Sequence, residues 1–236
     1  MVRLRLAGPI AAALAALAAP ALASFHLLRI VQVYGGDESH PDGQFVVLQG
    51  CSDFQNLVSG HPVVFFDAAG VEVGSATFAA DLPDTGTNQK KVLIASSSAE
   101  AAFGVAADLR MPAGLLLSGG KVCFDPAFPL HGVDCFAWGD YAALPDPAVG
   151  NPFDPVGGLP RGDAPSRDLA AGGGTTTLEC SAPPTGDDSD DSAADFDAGA
   201  PGPVNYAGTA GVLDANLVFV HGFEAGTTAG WTAVVP

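Results

Sequence analysis

Positive charge is scarce in this sequence. It holds 9 Lys and Arg against 26 Asp and Glu, a formal net charge of −17. A surface that acidic repels phosphates, which argues against nucleic acid as a partner. Charged residues of either sign make up only 15% of the chain, while Gly and Pro number 30 and 19. Few charges and many turn formers suit short strands better than long solvent-facing helices. Long apolar runs are missing after residue 23, so no later segment is suited to cross a bilayer as a helix. Several catalytic and metal-binding spacings are missing too. There is no C-x-x-C, H-E-x-x-H or H-x-H to hold zinc, and no G-x-S-x-G to present a nucleophilic serine. The five histidines, His26, His40, His61, His131 and His221, are scattered and read as solvated or edge residues.

Residues 1–23 have the make-up of an export signal. Arg3 and Arg5 precede an unbroken run of Ala, Leu and Ile over 10–19, and Ala21-Leu22-Ala23 forms a small-x-small cleavage site,. The mature chain is expected to begin at Ser24. Its four cysteines, Cys51, Cys123, Cys135 and Cys180, are an even number in an exported chain, which predicts two disulfides. Cys123 in KVCFD and Cys135 in VDCFAW face each other if those runs pair antiparallel about Pro129. Elimination then joins Cys51 to Cys180.

Strand-like runs lie at 24–34, 44–49, 62–67, 71–79 and 90–95, with a tight turn at 67–70. Ser97 and Glu100 have capping-box spacing for one short helix that Gly104 ends after about two turns. The run LLLSGGKVCFD (115–125) turns at Gly119-Gly120 and enters a strand whose partner is 133–138. Residues 139–174 are a long Gly/Pro-rich segment, placed over one end of the domain, and 175–180 reads as a short strand. Phe65, Phe66 and Trp138 sit in strand-like runs and read as core. The closing stretch, 187–206 (DDSDDSAADFDAGAPGPVNY), is expected to dock its one internal aromatic, Phe196, and then leave the domain. Seven or more short strands predict an all-β sandwich.

Three local patterns touch on chemistry. Ser118-Gly119-Gly120-Lys121 is like a phosphate loop, but Leu115 stands where its first glycine belongs, so it reads as a hairpin turn. Asp187, Asp188, Asp190 and Asp191 supply carboxylates of the kind that hold calcium, without the EF-hand spacing; the run reads as a solvated loop. Arg161-Gly162-Asp163 matches an integrin-recognition tripeptide and reads as a surface turn.

LLLSGGKVCFD followed by VDCFAWGD, and FVVLQ ahead of them, resemble the core of bacterial lamin tail domains. Arg167, the run from Asp190 to Phe196 and the close Pro201-Gly202-Pro203-Val204-Asn205 are similar to that family's late arginine, acidic-aromatic run and P-x-P-x-N end. Val47 stands where the family usually carries an acid. The resemblance covers roughly residues 24–206. It implies an immunoglobulin-like sandwich in an exported or surface protein, used for binding or attachment and not catalysis. The tail 216–236, with Gly222-Phe223-Glu224-Ala225-Gly226 and Trp231, resembles terminal sorting or attachment segments of exported bacterial proteins.

These readings assign 1–23 to a signal peptide, 24–207 to the sandwich and 208–236 to a tail. The expected function is an exported, non-catalytic attachment module. It would be monomeric and without cofactor or membrane span, and its ligand would be in the cell envelope or outside the cell. A secreted hydrolase and a calcium-dependent adhesive module are the alternatives.

Overall fold

The computed structural model describes residues 24–114, 118–127, 132–154, 156–171, 174, 176–181 and 186–213. The signal segment, the tail from 214, residues 115–117, Pro129, His131 and His221 lie outside them.

Ten strands and two short helices form two packed sheets, the all-β sandwich expected. The strands are β1 (Leu28–Tyr34), β2 (Phe45–Gly50), β3 (Pro62–Asp67), β4 (Glu72–Thr77), β5 (Lys91–Ala95), β6 (Leu109–Arg110), β7 (Gly120–Phe124), β8 (Asp134–Trp138), β9 (Ala164–Arg167) and β10 (Phe196–Gly199). The helices are α1 (Ser97–Phe103) and α2 (Ser192–Asp195). The large sheet runs β10-β9-β1-β2-β5-β6 and the small one β4-β3-β7-β8.

Strand alternation builds the space between the sheets. Ile30, Val46, Leu48, Val92 and Ile94 from the large sheet meet Val63, Phe65, Val122, Phe124, Phe136 and Trp138 from the small one, all buried. Each such side chain contributes about 1.5–3 kcal/mol on leaving water. Phe196 joins this core with its ring 4.4 Å from that of Phe136. Phe65 and Trp138 are core, as read from the sequence, while Phe66 is only half-buried, under the ammonium of Lys121.

The outer faces are also apolar along their inner strands and are covered there. Parallel β5 and β6 need a crossover, and α1 supplies it. Ala99, Ala102 and Phe103 of α1 lie on Tyr34, Phe45, Val47 and Leu93. The N-cap is Ser96, not Ser97: its Oγ accepts from Ala99 N at 3.1 Å and donates to Asp42 O at 2.6 Å. Glu100 therefore lies one residue beyond the capping-box position, and its carboxylate pairs with Arg110 at 2.6 Å instead.

The first part of the long Gly/Pro-rich segment lies across the outer face of the small sheet, while Phe153 and Leu159 further on pack against the central core. Tyr141, Ala148 and Val149 pack on Cys123, Cys135 and Ala137. The face they cover is the apolar side that strand alternation turns outward in β7 and β8. The segment also contains β9, where its Gly/Pro-rich composition predicts irregular chain. Residues 176–180 form no strand; Gln89 holds Leu178 through Leu178 N to Gln89 Oε1 at 2.9 Å and Gln89 Nε2 to Leu178 O at 3.0 Å.

Two disulfides cross-link this frame. Cys123 and Cys135 face each other across β7 and β8 with Cα atoms 4.1 Å apart. Cys51, just after β2, bonds Cys180 with Cα atoms 5.9 Å apart. At the other end the chain stays bonded past 207: Gly211 N donates to Pro203 O at 2.7 Å and Val212 N to Phe103 O at 3.0 Å.

Candidate functional site

The densest group of polar side chains lies where the two sheets meet the closing segment. Arg167 ends β9 and is paired in register with Phe196 of β10, so both point into the core. Its side chain is 1% exposed. The guanidinium centre lies 4.7 Å from the centre of the Phe196 ring. Nε donates to Ile30 O at 2.9 Å, and Nη2 to Asp134 Oδ2 at 2.8 Å. Nη1 donates to Asp187 O, Asp188 Oδ1 and Asp195 Oδ2 at 3.0, 3.2 and 3.3 Å. One arginine thus joins β1 of the large sheet, β8 of the small sheet and the closing segment.

Alternation along β8 turns Asp134 inward together with Phe136 and Trp138. Asp134 Oδ2 also accepts from Ile30 N at 2.6 Å. The β1 bulge between Ile30 and Gln32 falls at this point, so the side-chain carboxylate serves a backbone donor at the ladder's irregularity. Arg29 adds a second cation, with Nε 2.6 Å from Asp188 Oδ2. That contact is Coulombic, since the N–H is misaligned for a hydrogen bond.

Three carboxyls, Asp134, Asp188 and Asp195, thus face two guanidiniums, one negative charge too many. Burial pushes Asp134 up to about 7, against the pull of Arg167. Burial also raises Asp195, although hydrogen bonds from Ser189 and the charge of Arg167 oppose it. Burial works against the Asp188 carboxylate as well, but there Arg167 and Arg29 win and hold it below the usual range. The surplus proton therefore settles on the most deeply buried group.

A carboxyl whose pKa is higher folded than unfolded binds its proton more tightly in the folded state. The Asp134 contribution to stability is fully present below the unfolded value near 4 and is lost as pH rises to about 7,. Asp188 acts in the opposite sense, its contribution being lost as pH falls below about 4. Urea midpoints measured from pH 4.5 to 7.5 are expected to show a fall in the wild type that Asp134→Asn makes shallower, the raised Asp195 acting in the same direction,. Parallel curves for the two proteins would refute this assignment.

The acidic run is consequently not the solvated loop read from the sequence. Asp187 is 2% exposed, and its Oδ2 accepts from Glu179 N at 2.8 Å. Asp188 is paired with both arginines. Asp191 caps α2, Oδ1 accepting from Ala193 N and Ala194 N at 3.1 and 3.2 Å, while Oδ2 accepts from Asn151 Nδ2 at 2.7 Å. Asp190 sits at φ 55°, where the run turns. The buried Arg167 and the half-buried Arg29 explain the departure: they supply the countercharge that composition says is scarce. These carboxylates point to different partners. Among the described residues no group of three or more His, Cys, Asp or Glu is placed to hold a metal ion. Millimolar calcium is expected to leave the melting midpoint unchanged, because a folded-state ligand would raise it by mass action.

α2 and its surroundings protect the outer edge of β8. Ser192 Oγ accepts from Ala137 N at 3.0 Å, and Phe153 N donates to Ala137 O at 2.8 Å. The Pro-Gly-Pro close is held by Gln32, whose Oε1 accepts from Gly202 N at 2.9 Å.

The remaining sequence candidates lie apart. His40 is buried, not solvated, with Nδ1 3.2 Å from Asp37 Oδ1; Asp37 N and Gly43 N both donate to its carbonyl. His61 is half-buried, with Nδ1 2.9 Å from Asp125 Oδ2 and its ring stacked 3.6 Å from that of Phe25. His26 is exposed. Lys121 of the phosphate-loop-like run pairs with Asp146 at 2.6 Å, at the start of β7.

Two clefts open on the surface. One, of about 800 Å³, is lined by Leu144, Pro145, Asp146, Pro147, Gly150 and Asn151. The other, of about 440 Å³, lies at the end of the closing segment. There Lys90 Nζ sits 4.4 Å from the Tyr206 ring centre and 2.8 Å from Asp84 Oδ2, and Tyr206 O–H donates to Asp84 O at 3.0 Å. In both, the charged groups that line the cleft are already matched within the chain.

No family model matches the chain, and neither does any curated protein or solved structure.

Proposed function

We propose that this chain is an exported, non-catalytic attachment module of the bacterial cell surface, a lamin-tail-like sandwich. The observation that carries the reading is the use made of Arg167. It offers its donors to five named acceptors inside the molecule, drawn from both sheets and the closing segment. The densest polar constellation among the described residues therefore locks the scaffold and leaves recognition to surface loops. The same residues carry the resemblance: Arg167, the acidic run into Phe196, and the Pro-Gly-Pro close. Two disulfides suit an oxidising compartment, and residues 1–23 read as the signal that would deliver the chain there. Among the described residues no helix is long and apolar enough to cross a membrane.

The test is retention of the purified chain, starting at Ser24, on cell-envelope fractions, with parallel assays on generic ester, phosphoester and glycoside substrates. Saturable retention without turnover is the expected result. Turnover that survives repurification and is lost on replacing His61 or His40 would overturn the non-catalytic reading. Absence of retention on every fraction would overturn attachment.

A further inference from the structure

We propose that the turn at Arg161-Gly162-Asp163 is a recognition site for an integrin-type receptor, one whose binding face sets a divalent cation beside an acidic pocket. The proposal rests on the attachment reading and names a partner chemistry for it.

The tripeptide alone is a weak signal; its setting adds to it. Among the described residues Arg161 is the one exposed basic side chain with no carboxylate partner. Arg29, Lys90, Arg110, Lys121 and Arg167 are all in ion pairs, and Lys91 is half-buried. An acidic molecule with 26 Asp and Glu would readily neutralise a surface arginine, yet this one stays free. Asp163, two residues on, is exposed as well and among the described residues takes part in no side-chain hydrogen bond or ion pair; it acts on the nearby Tyr34 through its charge. Between them Gly162 adopts φ 82°, with nothing within 4 Å of where a Cβ would project. A side chain there would be strained and would fill the gap between the two charges.

The turn is also held at both ends. Gly162 N donates to Gly36 O at 3.3 Å. Upstream, Leu159 lies against Gly35, its Cδ1 3.1 Å from where a Cβ on that glycine would stand. Downstream, Ala164 is fully buried and begins β9, paired with Gly199 of β10. A turn fixed in this way loses little conformational freedom on binding. Its chemistry is bipolar: a free carboxylate suits a hard divalent cation, and a free guanidinium suits a carboxylate pocket in a forked geometry. In a chain of net charge −17, an exposed, unpaired arginine is where an acidic pocket meets complementary charge.

The experiment measures binding of a soluble RGD-binding integrin ectodomain to the immobilised chain in millimolar manganese. The expected result is saturable binding that chelation with EDTA abolishes and a linear Arg-Gly-Asp peptide displaces. Asp163→Glu, which keeps the charge but lengthens the reach, should weaken it at least about tenfold with the melting midpoint unchanged. Arg161→Gln, also on the surface, should weaken it likewise and covers the case in which the first variant misfolds. Wild-type binding that is absent or insensitive to EDTA would overturn the proposal, as would full binding by both variants. If envelope retention persists while integrin binding fails, attachment stands and this site falls.

Discussion

Arg167→Ala is expected to destabilise the folded chain by about 3–5 kcal/mol, the usual cost of stranding buried partner charges. Its loss leaves Asp134 and Asp195 without a guanidinium and Asp188 with Arg29 alone, and it deprives the carbonyls of Ile30 and Asp187 of a donor. The contact with the Phe196 ring goes too, which weakens the anchor of β10. Arg167→Lys is expected to fall between wild type and alanine, since one ammonium cannot reproduce the forked donor pattern that spans five acceptors. A double-mutant cycle tests the cause. Asp134→Asn should cost less in the Arg167→Ala background than in the wild type, because there it no longer breaks a pair with the guanidinium. Urea denaturation of the four proteins decides it. A loss below about 1 kcal/mol for Arg167→Ala would place the cluster in the range of surface ion pairs.

The outline of the fold was legible because most strands declare themselves by composition and bounding turns. β3 runs over the six residues read as a strand, and β1, β2, β4, β5 and β8 lie within a few residues of theirs. The facing of Cys123 and Cys135 was legible for the same reason: a hairpin's register places residues opposite each other by counting from its turn. β9 and β10 were not legible. Ala164–Arg167 contains a proline and Phe196–Gly199 ends in glycine, so neither looks like a strand by propensity. They exist because they pair with each other and because Arg167 and Phe196, opposite one another, both enter the core.

The cluster was hidden by its charge. Asp134 breaks the apolar alternation of β8, and its partner stands 33 residues further on, beyond the reach of any local pattern. The acidic run looked solvated because composition offered so few countercharges. A usable signal did exist. Arg29 lies inside the apolar run HLLRIVQVY, and a cation in a strand flanked by core residues needs a carboxylate brought to it. The run at 187–195 is the richest supply in the chain. Its side chains then divide between pairing the arginines and capping α2, which spacing alone could not apportion.

Removing the Cys51–Cys180 disulfide is expected to cost more than removing Cys123–Cys135. The two bridges span 129 and 12 residues. In the chain-entropy account the longer closed loop restricts the unfolded chain more, giving about 5 kcal/mol against about 3 kcal/mol. The native contacts around the long bridge support an effect that acts chiefly on the unfolded state. Leu178, two residues before Cys180, is buried and bonded to Gln89 through contacts that do not involve the sulfurs. The bond from Glu179 N to Asp187 is likewise independent of the sulfurs, so the path into the arginine cluster is expected to stay defined when the bridge is removed. Paired alanine variants, Cys51→Ala with Cys180→Ala and Cys123→Ala with Cys135→Ala, compared by urea denaturation, make the test. If the 12-residue bridge proves the costlier one to lose, loop closure is not what the long bridge contributes. Its role would then be native-state anchoring of the segment that leads into Asp187.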